Sequence, residues 1–351
     1  MFNINSACAA RGRNGLAPAL LAIMILSAAS SLARAAGHPS PELGLPVDCR
    51  LGVDCFVQQM PDVDPSDQAL DPLCGNATYQ GHDGWDIRIR TLKDVDRQTP
   101  VIATADGTVA RVRDGIPDRI YDRAQDNKDT AGKECGNGVL VEHSGGLASQ
   151  YCHLKEGSIV VRPGARVKKG ERLGSVGASG LAEFPHVHLS VRRDGKAIEP
   201  LTGIPLGTAR EACGETAGSL FEPAVRDALS RSASAILLVG LTNAPPELSS
   251  LVRDGEPVAP KTSQPVIAWV WAINVEADTV FRMRIVDPDG KTLMHIETKP
   301  LERRKANYIA YAGGKSAQRP GEYGLQVEMV SGGKTISSTT RAILIRSEGE
   351  R

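Results

Sequence analysis

Four of the seven histidines in this 351-residue chain fall into three short patterns, and these are the residues whose spacing could do chemistry. Pro185-His186-Val187-His188-Leu189 sets two imidazoles two positions apart. On a β-strand that spacing puts both on one face with Ser190, while Val187, Leu189 and Val191 turn to the other face and pack. Two neighbouring imidazoles resist double protonation, and a divalent cation relieves the repulsion. Gly81-His82-Asp83-Gly84-Trp85-Asp86 repeats the parity with His82 and Asp86, and the glycine between them has no side chain to block the space. Tyr151-Cys152-His153-Leu154 places a further histidine at a strand end. A catalytic zinc takes three protein ligands and leaves a fourth position open to water, whose pKa falls to about 7. His82, Asp86 and His188 supply such an N, O, N set for one Zn2+ per chain. His153 and His186 then remain to move protons or hold a developing oxyanion. No His-Glu-x-x-His motif is present, so the base is expected to be a histidine rather than a glutamate.

Such side chains need a rigid β framework. Residues 71–200 are rich in short apolar runs and glycine turns. Residues 101–112 alternate around Asp106-Gly107, which predicts a hairpin. Residues 138–143 and 148–153 flank Ser144-Gly145-Gly146 and predict a second one. Residues 167–177 read as a glycine-punctuated strand pair, and residues 185–192 as a strand turning at Asp194-Gly195. Residues 114–134 are charged, carry glycine and show little periodicity, which predicts a long inserted loop. From about Ala235 a new series begins: 265–275 is apolar with Trp269 and Trp271, 279–286 ends at Asp287-Pro288-Asp289-Gly290, 323–330 follows Pro320-Gly321, and 334–346 closes the series. About seven short strands with turns predict an immunoglobulin-like β-sandwich. The expected fold class is therefore mainly β: a small antiparallel metal-binding sheet followed by a sandwich.

Composition narrows the setting. The 41 basic and 41 acidic residues balance, which argues against a nucleic-acid partner needing a basic surplus. Arg11 and Arg13, the apolar run 16–29 and Ala33-Arg34-Ala35 have the layout of a signal peptide ending at residue 35. Cleavage there would remove three arginines and leave 38 basic against 41 acidic residues, a net charge of −3. No later run is apolar enough to span a bilayer. Six of the seven cysteines would remain, and an even number in an exported chain suggests disulfides. The proposed pairs are Cys49–Cys55 as a local loop and Cys135–Cys152 across the hairpin, which leaves Cys74–Cys213.

His82-x-x-x-Asp86, Tyr151-x-His153-Leu154 and His186-x-His188, in that order, resemble the lysostaphin/LytM-type zinc endopeptidases. The resemblance extends over roughly residues 78–200, including 101–109 and the run from Val167-Lys168-Lys169-Gly170 to Gly177-Ala178-Ser179-Gly180. It implies that His82, Asp86 and His188 are metal ligands, that His153 and His186 are the catalytic histidines, and that the substrate is a cross-link or stem peptide of bacterial peptidoglycan. The division of roles between the two catalytic histidines stays open. Trp85 departs from the family, which more often has a small or hydroxyl residue there, and is expected to narrow the cleft. The loop 114–134 departs as well.

Other features have plainer readings. His143 suits a structural role, Trp269 and Trp271 suit core packing, and Asp62, Asp64 and Asp67 lack the order of a calcium loop and suit a solvated turn. Gly313-Gly314-Lys315-Ser316 lacks the upstream glycine of a phosphate loop. The expected organisation is a signal peptide (1–35), an N-terminal extension (36–70), the peptidase domain (71–214), a linker (215–234) and an accessory sandwich (235–351) for positioning, wall contact or partner binding. The expected function is an exported periplasmic or extracellular peptidoglycan endopeptidase. The alternative is a non-catalytic wall-binding or amidase-activating module on the same fold.

Overall fold

The computed structural model describes residues 40–122, 131–208, 214–231, 234–317 and 319–349. The expected signal peptide and Cys213, and so the Cys74–Cys213 pairing, lie outside the described residues. The strands of the first half are β1 (Phe56–Gln59), β2 (Trp85–Arg88), β3 (Pro100–Ile102), β4 (Gly107–Arg113), β5 (Asn137–Glu142), β6 (Leu147–Leu154), β7 (Arg166–Val167), β8 (Arg172–Ser175), β9 (His186–Arg193), β10 (Lys196–Glu199) and β11 (Ile204–Pro205). The main sheet runs β1-β2-β9-β6-β5-β4-β7, with β10 and β11 extending from β9, and all its pairs are antiparallel. Val187, Leu189 and Val191 are fully buried on one face of β9, as the two-residue alternation predicts.

The β5–β6 hairpin and the turn from β9 into β10 stand where the glycine turns predict them. Two expected pairings differ. Residues 101–112 do not form a hairpin, because β3 pairs with β8 in a separate two-stranded sheet while β4 pairs with β5 and β7. The Asp106 carboxylate is engaged by the Lys168 ammonium (2.7 Å) and the Lys169 amide (2.9 Å), so Asp106-Gly107 docks on the loop after β7 instead of closing a two-strand turn. For the same reason residues 167–177 are not a strand pair: β7 and β8 each join a different partner. Disulfides Cys49–Cys55 and Cys135–Cys152 are both formed.

The second half contributes β12 (Ala235–Thr242), β13 (Pro265–Val275), β14 (Val280–Val286), β15 (Thr292–Glu297), β16 (Lys305–Ser316), β17 (Gly321–Ser331) and β18 (Lys334–Ile345). These seven strands form two antiparallel sheets, β12-β13-β16 and β15-β14-β17-β18. Val270, Ala272, Phe281, Met283, Leu325 and Val327 from both sheets meet in one apolar core. At the start of β17 the Tyr323 hydroxyl donates to the Arg319 carbonyl at 3.0 Å and pins the entry into the strand. Short helices α1 (Pro223–Leu229) and α2 (Leu248–Asp254) flank β12 in the chain.

The two halves are joined by more than the connecting chain. A third apolar cluster mixes Phe56 and Phe184 with Leu237, Leu251, Val252, Trp269, Trp271 and Ile273. Trp269 and Trp271 are fully buried, so their packing role holds, but the core they pack is the seam between the halves. The Asn274 amide donates to the Val57 and Gln58 carbonyls at 3.2 and 3.0 Å, and the Gln58 amide donates to the Ala306 carbonyl at 3.0 Å. No helix among the described residues is long and apolar enough to cross a membrane.

Candidate metal centre and active site

Register places the site. Asp86 of β2 lies opposite His188 of β9, which lies opposite Cys152 of β6, and Arg88 lies opposite His186 in the next row. Residues opposed across a sheet project to the same face, so Asp86, His188, Arg88 and His186 all stand on one side. His82 reaches this face from the loop before β2. Its Nε2 stands 3.2 Å from Asp86 Oδ1 and 3.3 Å from His188 Nδ1, and His188 Nδ1 lies 2.8 Å from Asp86 Oδ1. A tetrahedral zinc with ligand bonds of about 2.0–2.1 Å keeps its ligand atoms about 3.3 Å apart. The three donors therefore have the spacing of a divalent-cation site, and among the described residues they are the one such group.

The far side of each ring is also held. His82 Nδ1–H donates to the Met60 carbonyl at 2.7 Å, which leaves Nε2 as the free donor atom. His188 Nε2–H donates to Asp83 Oδ1 at 3.1 Å, which leaves Nδ1. Asp83 is steadied in turn by Arg192 at 3.2 Å. Such outer partners fix tautomer and ring orientation. Gly84 makes room for the group, because a Cβ there would stand 2.4 Å from His188 Nε2 and 2.7 Å from the Leu189 carbonyl.

Charge follows from this crowding. Burial pushes the Asp86 pKa up, but His82, His186 and the hydrogen bond from His188 outweigh it and hold the carboxyl well below its usual range. Burial disfavours the charged form of His188, yet hydrogen bonds to Asp83 and Asp86 raise its pKa to about 9. A cation can take the place of that proton between the same acids.

His153 and His186 flank the group, with ring centroids 4.5 Å apart. His153 Nδ1–H donates to the Ser179 carbonyl at 2.8 Å and His186 Nδ1–H to the Phe184 carbonyl at 2.7 Å, so each ring keeps Nε2 as a proton acceptor. His186 Nε2 lies 3.5 Å from Asp86 Oδ1 and so faces the metal group. Burial, then the neighbouring His186 and His188, hold the His153 pKa well below the ordinary histidine value. Burial also lowers that of His186. His153 has a left-handed backbone (φ 62°), and its amide donates to the Cys135 carbonyl at 2.8 Å beside the Cys135–Cys152 disulfide. That conformation costs a non-glycine residue about 1–3 kcal/mol and occurs where a side chain must be aimed.

All five residues expected at the site are thus together. Residues 80–200 match Peptidase family M23. The M23 segment contains every one of the five, and the resemblance to lysostaphin/LytM-type peptidases holds. An uncharacterised metalloprotease of Haemophilus influenzae is 37% identical over 119 residues, which cover 33% of this chain and 21% of that protein. A protein of Vibrio cholerae named peptidoglycan DD-endopeptidase ShyA is 27% identical over 112 residues, covering 32% of this chain and 22% of that one. The chain therefore spans only about a fifth of the length of these relatives. The crystal structure of a zinc-containing peptidase from Vibrio cholerae aligns with 49% of this chain and 41% of its own at 21% identity and a TM-score of 0.31.

Two expectations are corrected near this group of residues. Trp85 does not narrow the cleft. It alternates with Asp86 to the opposite face, is fully buried edge-on to Phe221 with centroids 6.1 Å apart, and donates Nε1–H to Glu199 at 3.1 Å. Asp62 is not a solvated turn residue. It is buried, and its carboxylate accepts from the amides of Asp64, Leu70 and Gly81, fastening the loop of Met60 to that of His82. His143 keeps the structural role expected of it: its ring bonds the Asp106 carbonyl at 2.9 Å and the Ser149 hydroxyl at 3.0 Å, away from the metal group. The described start of the long insertion is fastened to the cleft wall. Asp118 accepts from the Ala178 and Glu156 amides, and the Tyr121 amide donates to the Ala182 carbonyl. Sequence reasoning missed Met60, Asp83, Ser179 and Phe184. Asp83 alone carried a hint, as an acid inside the first histidine motif.

Proposed function

We propose that the chain is an exported zinc metalloendopeptidase that hydrolyses peptide bonds of bacterial peptidoglycan, in cross-links or stems. The observation that carries this reading is the convergence of His82 Nε2, Asp86 Oδ1 and His188 Nδ1 at ligand spacing, beside two histidines whose Nε2 atoms remain free to accept a proton. The homology to proteins named as metalloprotease and as peptidoglycan DD-endopeptidase supports the peptidase activity and the substrate.

His82, Asp86 and His188 would hold the zinc. Bound there, the ion supplies a Lewis acid that polarises a peptide carbonyl and acidifies water to a pKa of about 7. His153 and His186 do the remaining work from fixed positions. Both are neutral because burial opposes the charged form, and both point Nε2 inward because a main-chain carbonyl takes Nδ1–H. One accepts the proton of the attacking water. The proton it gains passes to the other, whose ring centroid lies 4.5 Å away, and that histidine then donates it to the developing oxyanion or to the leaving amine. The hydrogen-bonded ring positions mean that neither histidine needs to reorient during turnover.

Metal content and digestion of purified sacculi test this together. The wild-type protein is expected to hold one zinc per chain and to release muropeptides, and His188→Ala is expected to do neither. Zinc-loaded wild-type protein that releases nothing from any peptidoglycan would favour the non-catalytic module instead.

A further inference from the structure

Among the described residues Arg88 is the largest charged side chain that is wholly buried, and the proposed catalytic steps do not use it. Its hydrogen bonds among the described residues go to neutral acceptors: Gln58 Oε1 at 2.7 Å, the Arg90 carbonyl at 2.9 Å and the Ile89 carbonyl at 3.2 Å. A guanidinium keeps its charge at neutral pH, so a cation enters the interior here. A cation buried without a carboxylate opposes folding, and violations of that kind concentrate where function requires them.

The surroundings show what the cation is for. The guanidinium carbon lies 4.7 Å from the centroid of the Phe184 ring and 4.8 Å from that of Trp271, which belongs to the sandwich. Phe184 lies in turn against His186, with centroids 4.6 Å apart and planes at 38°, and its carbonyl receives the His186 Nδ1–H. His186 contacts His153 next. Trp271 is fixed from behind by its Nε1–H bond to Asn307 at 3.2 Å. Arg88 also stands directly opposite His186 in the β2–β9 ladder. The stack Trp271–Arg88–Phe184–His186 therefore runs unbroken from the core of the seam to the cleft.

We propose that Trp271 and Arg88 are positioning residues which, by clamping Phe184, hold the His186 ring at its working angle, so that the sandwich is part of the catalytic unit. The proposal rests on the peptidase reading above. It assigns the sandwich a task on the enzyme's own histidine rather than on a distant ligand. Phe184 is the coupling element because it meets His186 twice, through its ring and through its carbonyl. Loss of the cation or the indole frees the ring, and the carbonyl can then shift with it.

The test uses the full chain, with cross-linked muropeptide dimers as substrate and zinc content measured beside the kinetics. Trp271→Leu and Arg88→Met keep the seam filled but remove the stack. Each is expected to lower kcat by about 10- to 100-fold, the scale of a 1 Å misplacement, with KM within about twofold and one zinc per chain retained. Trp271→Phe, which restores an aromatic face, is expected to recover most of kcat. Wild-type kcat in both disrupted variants would overturn the proposal, as would zinc loss matching the loss of activity, or a Trp271→Phe variant no better than Trp271→Leu. If the zinc-loaded wild type itself cleaves nothing, the peptidase reading fails instead, which separates the two outcomes.

Discussion

At the scale of single residues, the metal group is defined as much by what supports it as by the donors. Gly84 has an ordinary backbone conformation, so only space keeps a side chain out. A Cβ would collide with His188 and with the Leu189 carbonyl, and the latter is main chain that cannot swing away. Gly84→Ala is expected to displace His188 and weaken zinc binding by at least about 10-fold, measured by competition with a chromogenic chelator; unchanged affinity would mean the cradle is slack. Asp83→Ala leaves His188 Nε2–H without its acceptor and should weaken zinc binding by about 10- to 100-fold, the usual effect of removing an outer partner, while circular dichroism stays native. Strand parity made His186 and His188 legible by converting a two-residue spacing into a shared face, while His82, Asp86 and His153 were legible through the order of the three motifs and the family resemblance they carry. Their supports were not. Met60, Ser179 and Phe184 act through carbonyl groups that every residue possesses, so side-chain type carries no trace of the role.

Among elements, β5 and β6 and the turn between them carry His153 into place, and His143 closes their other end. Its Nδ1–H donates to the Asp106 carbonyl and its Nε2 accepts from Ser149, whose hydroxyl meets Thr104, which meets the Tyr151 hydroxyl. A proton on Nε2 would reverse the Ser149 contact, turning that hydroxyl from donor to acceptor, and would put a charge in a largely buried ring. Burial lowers the His143 pKa from its ordinary 6.5, so the unfolded chain takes up the proton first as pH falls. The stability this residue contributes is therefore complete above about pH 6.5 and is lost as pH drops through the unfolded value towards the folded one. Urea midpoints at pH 7.5 and 5.5 should fall more for the wild type than for His143→Asn, and equal falls would place the acid sensitivity elsewhere. The β5–β6 hairpin was readable because its turn glycines sit between two alternating runs. The pairings of β3 and β8 were not, since they join segments about 70 residues apart and depend on where Asp106 finds Lys168 and Lys169. A side-chain anchor of that kind overrides a local turn signal.

Over the whole molecule, the seam decides how the halves behave. Residues from both contribute to one buried cluster, Asn274 donates to two carbonyls of β1, and Arg304 donates to Asn274 Oδ1 at 2.9 Å. Separating the halves would expose Phe56, Phe184 and Trp271 to water and leave Arg88 without one of its two rings. Length and the second series of strands from about Ala235 pointed to two domains joined by residues 215–234, and a seam built from residues far apart in sequence leaves no local signal. Gly37–Arg351 forms one compact unit, so calorimetry should show one unfolding transition rather than two. Asn274→Gly sharpens the test. Asn274 has a left-handed backbone (φ 50°) that glycine adopts freely, so the exchange removes the donors without adding strain. Leaving the Val57 and Gln58 carbonyls without that donor in a buried seam should cost about 1–3 kcal/mol. The transition should move to lower temperature yet remain single, because the apolar cluster still ties the halves. Two resolved transitions in the wild type would show that the sandwich folds independently and that the seam is an incidental contact.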